Sequence, residues 1–247
     1  MEQPWQPHDP LPVEKTWNAF IRTVSGKLIS EMISQTPDFE NADYLFEREN
    51  IIIELKEVET DFGRQSGIIE RVDHLHDKIF AEDPNWKPRM FGGEGKYPAW
   101  FSREYLSIFR KPVSRIIEKA NRQIKSTKKQ LGKENAQGIM LFVNDGFASL
   151  SPELVHATAN DLLTRSYSSI DCFVYLTVNR YVCIAGSDLA YLVWIPTYKS
   201  DDCDQLSNFI NELGRKWLDY LENQVGSFID RQERPDYPLE GSKSIIP

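Results

Sequence analysis

Asp43, Glu54 and Lys56 are the residues of this sequence whose types and spacing point most directly to chemistry. They lie in the run Asn41-Ala-Asp-Tyr-Leu-Phe-Glu-Arg-Glu-Asn-Ile-Ile-Ile-Glu-Leu-Lys56. Residues 42–47 and 51–59 read as the strands of a β-hairpin joined by Arg48-Glu49-Asn50. Side chains alternate along a strand, so Ile52, Glu54, Lys56 and Val58 share one face, and Ile51, Ile53 and Leu55 share the other. Both faces are largely apolar, which predicts a central strand covered on both sides. Glu54 and Lys56 are then charges on an apolar face, an arrangement that costs free energy unless they are paired or metal-bound. Asp43, eleven residues before Glu54, brings a third charge from the partner strand. Two carboxylates beside a lysine form a hard-oxygen site for Mg²⁺ or Mn²⁺. Such a site suits phosphodiester hydrolysis, where water must be activated near neutral pH and charge on the phosphate offset. Lys56 would orient the water or neutralise the phosphate.

The elements that must position these groups follow from periodicity. Val13 to Gln35 reads as one amphipathic helix, with Trp17, Phe20, Ile21, Val24, Leu28 and Met32 at helical spacing and Glu31 on the apolar face. Ser66 to Ala81 is expected to be helical, followed by a Pro/Gly-rich loop from Asp83 to Pro98. A helix is expected from Arg103 to Leu131, starting afresh at Pro112. Ile139 to Val143 is a continuous apolar strand. Ser151-Pro152 is a helix start, with Ser as N-cap and Pro at the first helical position, and that helix runs to about Thr164. Three further strands follow, Asp171 to Val178, Tyr181 to Ala185 and Tyr191 to Ile195. Asp204 to Val225 is a helix with Leu206, Phe209, Ile210, Leu213, Trp217 and Leu221 on one stripe. Asp230 to Pro247 reads as a tail. The order predicts an α/β fold, a central mixed sheet flanked by helices. It is a single domain, with a core over about 13–145, a C-terminal α/β extension over about 146–229 and a tail over 230–247.

Composition sets outer bounds. The 247 residues are 40% hydrophobic and 27% charged, as expected of a soluble globular chain. Cys172, Cys183 and Cys203 show no CxxC or Cys/His spacing, which argues against structural zinc and a disulfide framework. A reduced, cytoplasmic setting is the simplest expectation. Residues 1–12 lack the basic and apolar regions of a signal peptide, and no apolar run suits a membrane span. The net charge of −8 conceals an asymmetry: Arg103 to Lys133 holds ten basic and two acidic residues, a balance of +8. A basic element on an acidic body can still track phosphates, because the relevant field is local.

The hairpin with Asp43 and the Glu54-Leu55-Lys56 triplet resembles the PD-(D/E)xK superfamily, the restriction-endonuclease-like nucleases. The resemblance covers roughly the first 145 residues, where helix, strands, helix and strand follow the family's core order. It departs at Asn41-Ala42, where the family expects proline before the aspartate. The resemblance implies a restriction-endonuclease-like core and metal-dependent cleavage of nucleic acid, DNA more than RNA. It also implies Mg²⁺ or Mn²⁺ held by Asp43, Glu54 and the Leu55 carbonyl. It implies a contribution from Glu31 on the first helix, and site-adjacent groups on the later helix among Gln123, Lys125 and Lys128. With Lys129, these form the expected nucleic-acid-binding set.

Other residues take plainer readings. His74 and His76 stand two apart on a helix and point in different directions, so they read as surface histidines. Cys172 has no histidine near it in sequence and reads as a small apolar strand residue. Trp86, Phe91 and Trp100 could stack bases or anchor their loop. Two functions from different classes remain: a metal-dependent nuclease, or a nuclease-fold protein that binds nucleic acid or protein without cutting. The strand-rich C-terminal half suits a homodimer or protein partner.

Overall fold

The computed structural model describes residues 8–33, 40–87, 96–184, 186–200, 204–233, 239 and 242–245. Its centre is a six-stranded mixed sheet in the order β1-β2-β3-β4-β5-β8. The strands are β1 (Lys27–Leu28), β2 (Tyr44–Phe46), β3 (Ile51–Val58), β4 (Gln137–Asn144), β5 (Cys172–Leu176) and β8 (Trp194–Tyr198). The first three run antiparallel, β3, β4 and β5 run parallel, and β8 returns antiparallel on β5. The β2–β3 turn closes at Asn50, whose φ of 54° lies in the left-handed region that asparagine tolerates. A smaller sheet joins β6 (Tyr181–Cys183), β7 (Ala190–Tyr191) and β9 (Lys243–Ile245).

Helices cover both faces of the large sheet. On one face α1 (Val13–Thr23) and α6 (Asp204–Val225) pack against Ile51, Ile53, Leu55, Leu141 and Val174. Trp17 of α1 stacks on Trp217 of α6 with ring centroids 4.1 Å apart, and both are buried. On the other face α3 (Ser66–Glu82), α4 (Ala99–Gln130) and α5 (Pro152–Ser166) cover Ile52, Met140, Phe142 and Phe173. The split of β3 into Ile51/Ile53/Leu55 and Ile52/Val58 follows the alternation read from sequence, and the strand is buried on both faces. Strands from both halves of the chain share this sheet, so β5 and β8 extend the same layer that holds β3. Among the described residues, no helix is long and apolar enough to cross a membrane.

The strand expected from Tyr191 to Ile195 is divided between β7 of the small sheet and β8 of the large one, and three further elements differ from the sequence expectation. The first helix ends at Thr23 rather than Gln35. Ser25 adopts a φ of 63°, and a Cβ at Gly26 would meet the Ile21 and Phe46 side chains at 2.7 and 2.9 Å. The chain turns there, enters β1 and makes one separate helical turn, α2 (Ile29–Met32), which carries Glu31. The second difference is α4, which runs unbroken through Pro112 for 32 residues, about 48 Å. The stripe Phe109, Val113, Ile117, Ala120 and Ile124 stays buried across the proline, so packing outweighs the lost N–H. The third is the tail, where Leu239 is buried and 243–245 pair with β6.

Candidate active site

The site forms where β2 stops short of β3. The last paired residues are Tyr44 and Ile53, and the Asp43 N–H still donates to the Ile53 carbonyl at 3.1 Å. Beyond that point, among the described residues, β3 has no strand beside it on this edge, and the Asp43 side chain takes that place. Its Oδ2 accepts the Leu55 N–H at 2.7 Å. The N–H and C=O of one antiparallel strand residue face the same edge, so the Leu55 carbonyl also faces the side Asp43 occupies. The Asp43 backbone is held in turn by the Ile29 N–H, which donates to its carbonyl at 2.9 Å.

Glu54 sits on the α4 face of β3, fully buried, opposite Met140 of β4. Its Oε1 pairs with the Lys56 ammonium, the two side chains sharing one face as alternation requires. Its Oε2 is buried with no hydrogen-bond partner. The Asp43 and Glu54 carboxyls act on each other by charge. Burial, then the Asp43 charge, lifts Glu54 to about 8, against the opposing pull of Lys56. Burial also raises Asp43, while the Leu55 N–H and Lys56 pull it down. Two carboxyls this close do not both ionise without a compensating cation. The donors are hard oxygens: two carboxylates, one of them with an orphaned buried oxygen, and a main-chain carbonyl. Among the described residues, no group of three or more His, Cys, Asp and Glu side chains is placed to hold a metal. A cation held by these oxygens would need waters to complete its shell.

A third acid approaches from α1. Glu14, in the first turn and exposed, raises Asp43, Tyr44 and Glu57 through its charge. With α1 ending at Thr23, Glu31 falls on α2, where it is exposed and pairs with Arg22. The sequence reading missed Glu14; its position three and seven residues before Trp17 and Ile21 is the signal that could have found it. Tyr44 carries no such signal. Its hydroxyl is buried without a hydrogen-bond partner, and burial with the Asp43, Glu14 and Glu54 charges drives its pKa upward.

The α4 residues divide. Gln123 donates to the Asn41 carbonyl at 2.9 Å, and Thr127, absent from the sequence reading, accepts the Ala42 N–H at 2.8 Å. Both buttress the segment that delivers Asp43, so Gln123 reaches the site through Asn41. Lys128 is nearly buried and lies 3.5 Å from Asp171, whose carboxylate also accepts the Gly138 N–H at 2.7 Å. It is thereby committed to the amino ends of β4 and β5. Lys125 and Lys129 are exposed. Arg110 and Arg122 pair with Asp161 and Glu40, so part of the +8 balance is neutralised by neighbouring elements.

The remaining candidates are structural or peripheral. His156 is buried, pushed down to about 4 by burial, with its Nε2 2.8 Å from the Thr197 hydroxyl. Cys172 is buried in β5. His74 is exposed, while His76 packs beside Trp86, Tyr97 and Phe101. Phe91 lies outside the described residues. Comparison of the chain with protein-family models, curated proteins and solved structures gave no match.

Proposed function

We propose that the chain is a metal-dependent nuclease of the PD-(D/E)xK type, hydrolysing phosphodiester bonds of DNA or RNA with Mg²⁺ or Mn²⁺. The observation that carries this reading is the pairing of a fully buried Glu54, one oxygen orphaned, with an Asp43 carboxyl pinned to the Leu55 N–H. A buried acid pair of this kind is a standing cost unless it holds a cation. The element order supports the restriction-endonuclease-like reading: a helix, three antiparallel strands interrupted by the one-turn α2, the two helices α3 and α4, and a strand parallel to the third. In this reading Asp43, Glu54 and the Leu55 carbonyl hold the metal. The bound ion supplies Lewis-acid activation of water and offsets charge on the phosphate. Lys56, next to Glu54 and partly exposed, orients the water or neutralises the phosphate. Glu14 adds negative charge on the α1 side, the place the sequence reading gave to Glu31.

A second reading, a non-cutting protein-binding module on the same fold, is favoured by one observation: Arg110, Arg122 and Lys128 are already paired within the chain. The deciding experiment is a panel of single- and double-stranded DNA and RNA incubated with Mg²⁺ or Mn²⁺, with a chelator control. Metal-dependent product, abolished in Glu54→Ala, supports the nuclease. No product on any substrate at high enzyme concentration removes it and leaves the binding module.

A further inference from the structure

A cavity of about 1030 Å³ opens between α3, the first turns of α4 and the segments at 83–87 and 96–98. Its described walls carry a cluster of aromatic rings, with His76 and the aliphatic Val72, Leu106 and Leu154 beside them. Trp86 and Tyr97 meet at 61° with centroids 5.0 Å apart, Phe80 meets Trp86 at 74° and 5.8 Å, and Tyr97 stacks on Phe101 at 4.4 Å. Trp86 and Phe101 are buried among these rings, which leaves Phe80 and Tyr97 as the rings open to solvent. Phe80 and Tyr97 remain 44% and 42% exposed, unusual for side chains of their size. Asp73 and Asp77, both exposed and one helical turn apart on α3, also line the cavity. Among the described residues that line it there is no lysine or arginine. The adjoining Trp100 ring already carries a cation, with the Lys78 ammonium 5.8 Å from its centroid.

From this we infer that the cavity binds a small soluble organic cation bearing a quaternary or alkylated ammonium. The negative π faces attract the charge and its methyl groups together, and the two carboxylates bring complementary charge from α3. An anionic ligand, a nucleotide included, meets repulsion from the same carboxylates. The volume exceeds what a bare trimethylammonium fills, leaving room for an apolar or aromatic body on the ligand. The inference is independent of the nuclease reading.

The test compares choline with its neutral carbon isostere, 3,3-dimethylbutan-1-ol, on the full chain, read by tryptophan fluorescence and calorimetry. Choline should bind in the millimolar range and the isostere at least about fivefold more weakly, since only the former carries the charge. Phenyltrimethylammonium should bind more tightly than choline. Asp73→Asn with Asp77→Asn, a surface pair whose change leaves the fold intact, should weaken choline by about fivefold and leave the isostere unchanged. Trp86→Phe should weaken choline and remove most of the fluorescence change. Equal binding of choline and isostere, or an unchanged choline affinity in the double variant, would overturn the assignment. So would a tenfold preference for phosphatidylcholine vesicles or a trimethyllysine peptide over the free cation.

Discussion

The Asp43 carboxylate accepts the Leu55 N–H at 2.7 Å, standing where a strand's carbonyl would otherwise be. A side chain thus ends the β2–β3 ladder, and the charge it brings lands beside Glu54. The fold and the site share this hydrogen bond. Asp43→Asn keeps an acceptor for Leu55 and removes the repulsion, so it should be neutral or stabilising by about 1 kcal/mol near pH 8 without metal. Asp43→Ala orphans the Leu55 N–H and should cost about 1–3 kcal/mol if that donor is left unsatisfied. Both should lose Mn²⁺ binding. Urea unfolding with calorimetry checks the pair; equal destabilisation by Asn and Ala would mean that the charge, not the acceptor, holds the edge.

The raised Glu54 predicts a pH dependence of definite sign. Its carboxyl titrates from 4.5 unfolded to about 8 folded, so the folded chain holds the proton longer. The contribution is fully present below about 4.5, and is lost as pH climbs toward 8. Across that window the metal-free protein should lose at most about 1.4 kcal/mol per pH unit through this group. Glu54→Gln should flatten the slope. Metal requires the ionised pair, so affinity should rise over the same window, with proton release visible in buffers of different ionisation enthalpy. A wild-type slope matching that of Glu54→Gln would assign the titration elsewhere.

Much of this was legible in sequence, and the failures share a cause. The Glu54–Lys56 pairing follows from alternation along β3, a local rule, and the strand's burial followed from its apolar flanks. The first helix was read too long because helical periodicity in Leu28 and Met32 outweighed the break at Ser25-Gly26, which depends on the fit of Gly26 against Ile21 and Phe46. Pro112 misled in the opposite direction, because tertiary burial on either side carried α4 through it. Thr127 and Tyr44 carry no local signal: one matters through a bond to Ala42, 85 residues away, and the other through an unpartnered hydroxyl. The β9 pairing within the tail likewise rests on a distant partner, with Lys243 opposite Cys183 and Ile245 opposite Tyr181.

Glu14 and Glu31 make a matched pair of tests. Glu14→Gln removes a negative charge that acts on Asp43 and Glu57, and should weaken Mn²⁺ binding severalfold while lowering the Glu57 pKa from about 7. Glu31→Gln breaks only an exposed pair with Arg22, and should change stability by less than about 1 kcal/mol and metal binding not at all. Carbon-detected NMR titration of Glu57 with metal calorimetry reads both. Reversed effects would restore Glu31 to the site.

The α4 lysines should separate by exposure. Lys125→Gln with Lys129→Gln should reduce the salt dependence of any nucleic-acid affinity while leaving stability within about 0.5 kcal/mol, since both are at the surface. Lys128→Gln should act on stability instead, by about 1 kcal/mol or more, because its ammonium is nearly buried beside Asp171. An unchanged salt slope in the double variant would leave this face as solvated surface.

The last prediction separates the two functional readings through Lys56. Its ammonium pairs with Glu54 Oε1 and lies on the same face of β3, but it is not a metal ligand. Lys56→Ala should therefore abolish cleavage while Mn²⁺ binding survives. Glu54 loses a favourable charge, its pKa rises further, and the metal affinity falls only modestly near pH 8. Glu54→Ala removes a ligand and should lose metal and cleavage together. A binding module would show neither pattern: its partner affinity would survive both substitutions, and no metal-dependent product would form. Lys56→Met keeps most of the apolar stem while deleting the charge, so a loss of activity without a loss of fold in Met as well as Ala assigns the effect to the ammonium. Calorimetry on all three variants beside a gel assay completes the comparison. Full activity in Lys56→Ala would mean that water is oriented by another group, even in an enzyme that cuts.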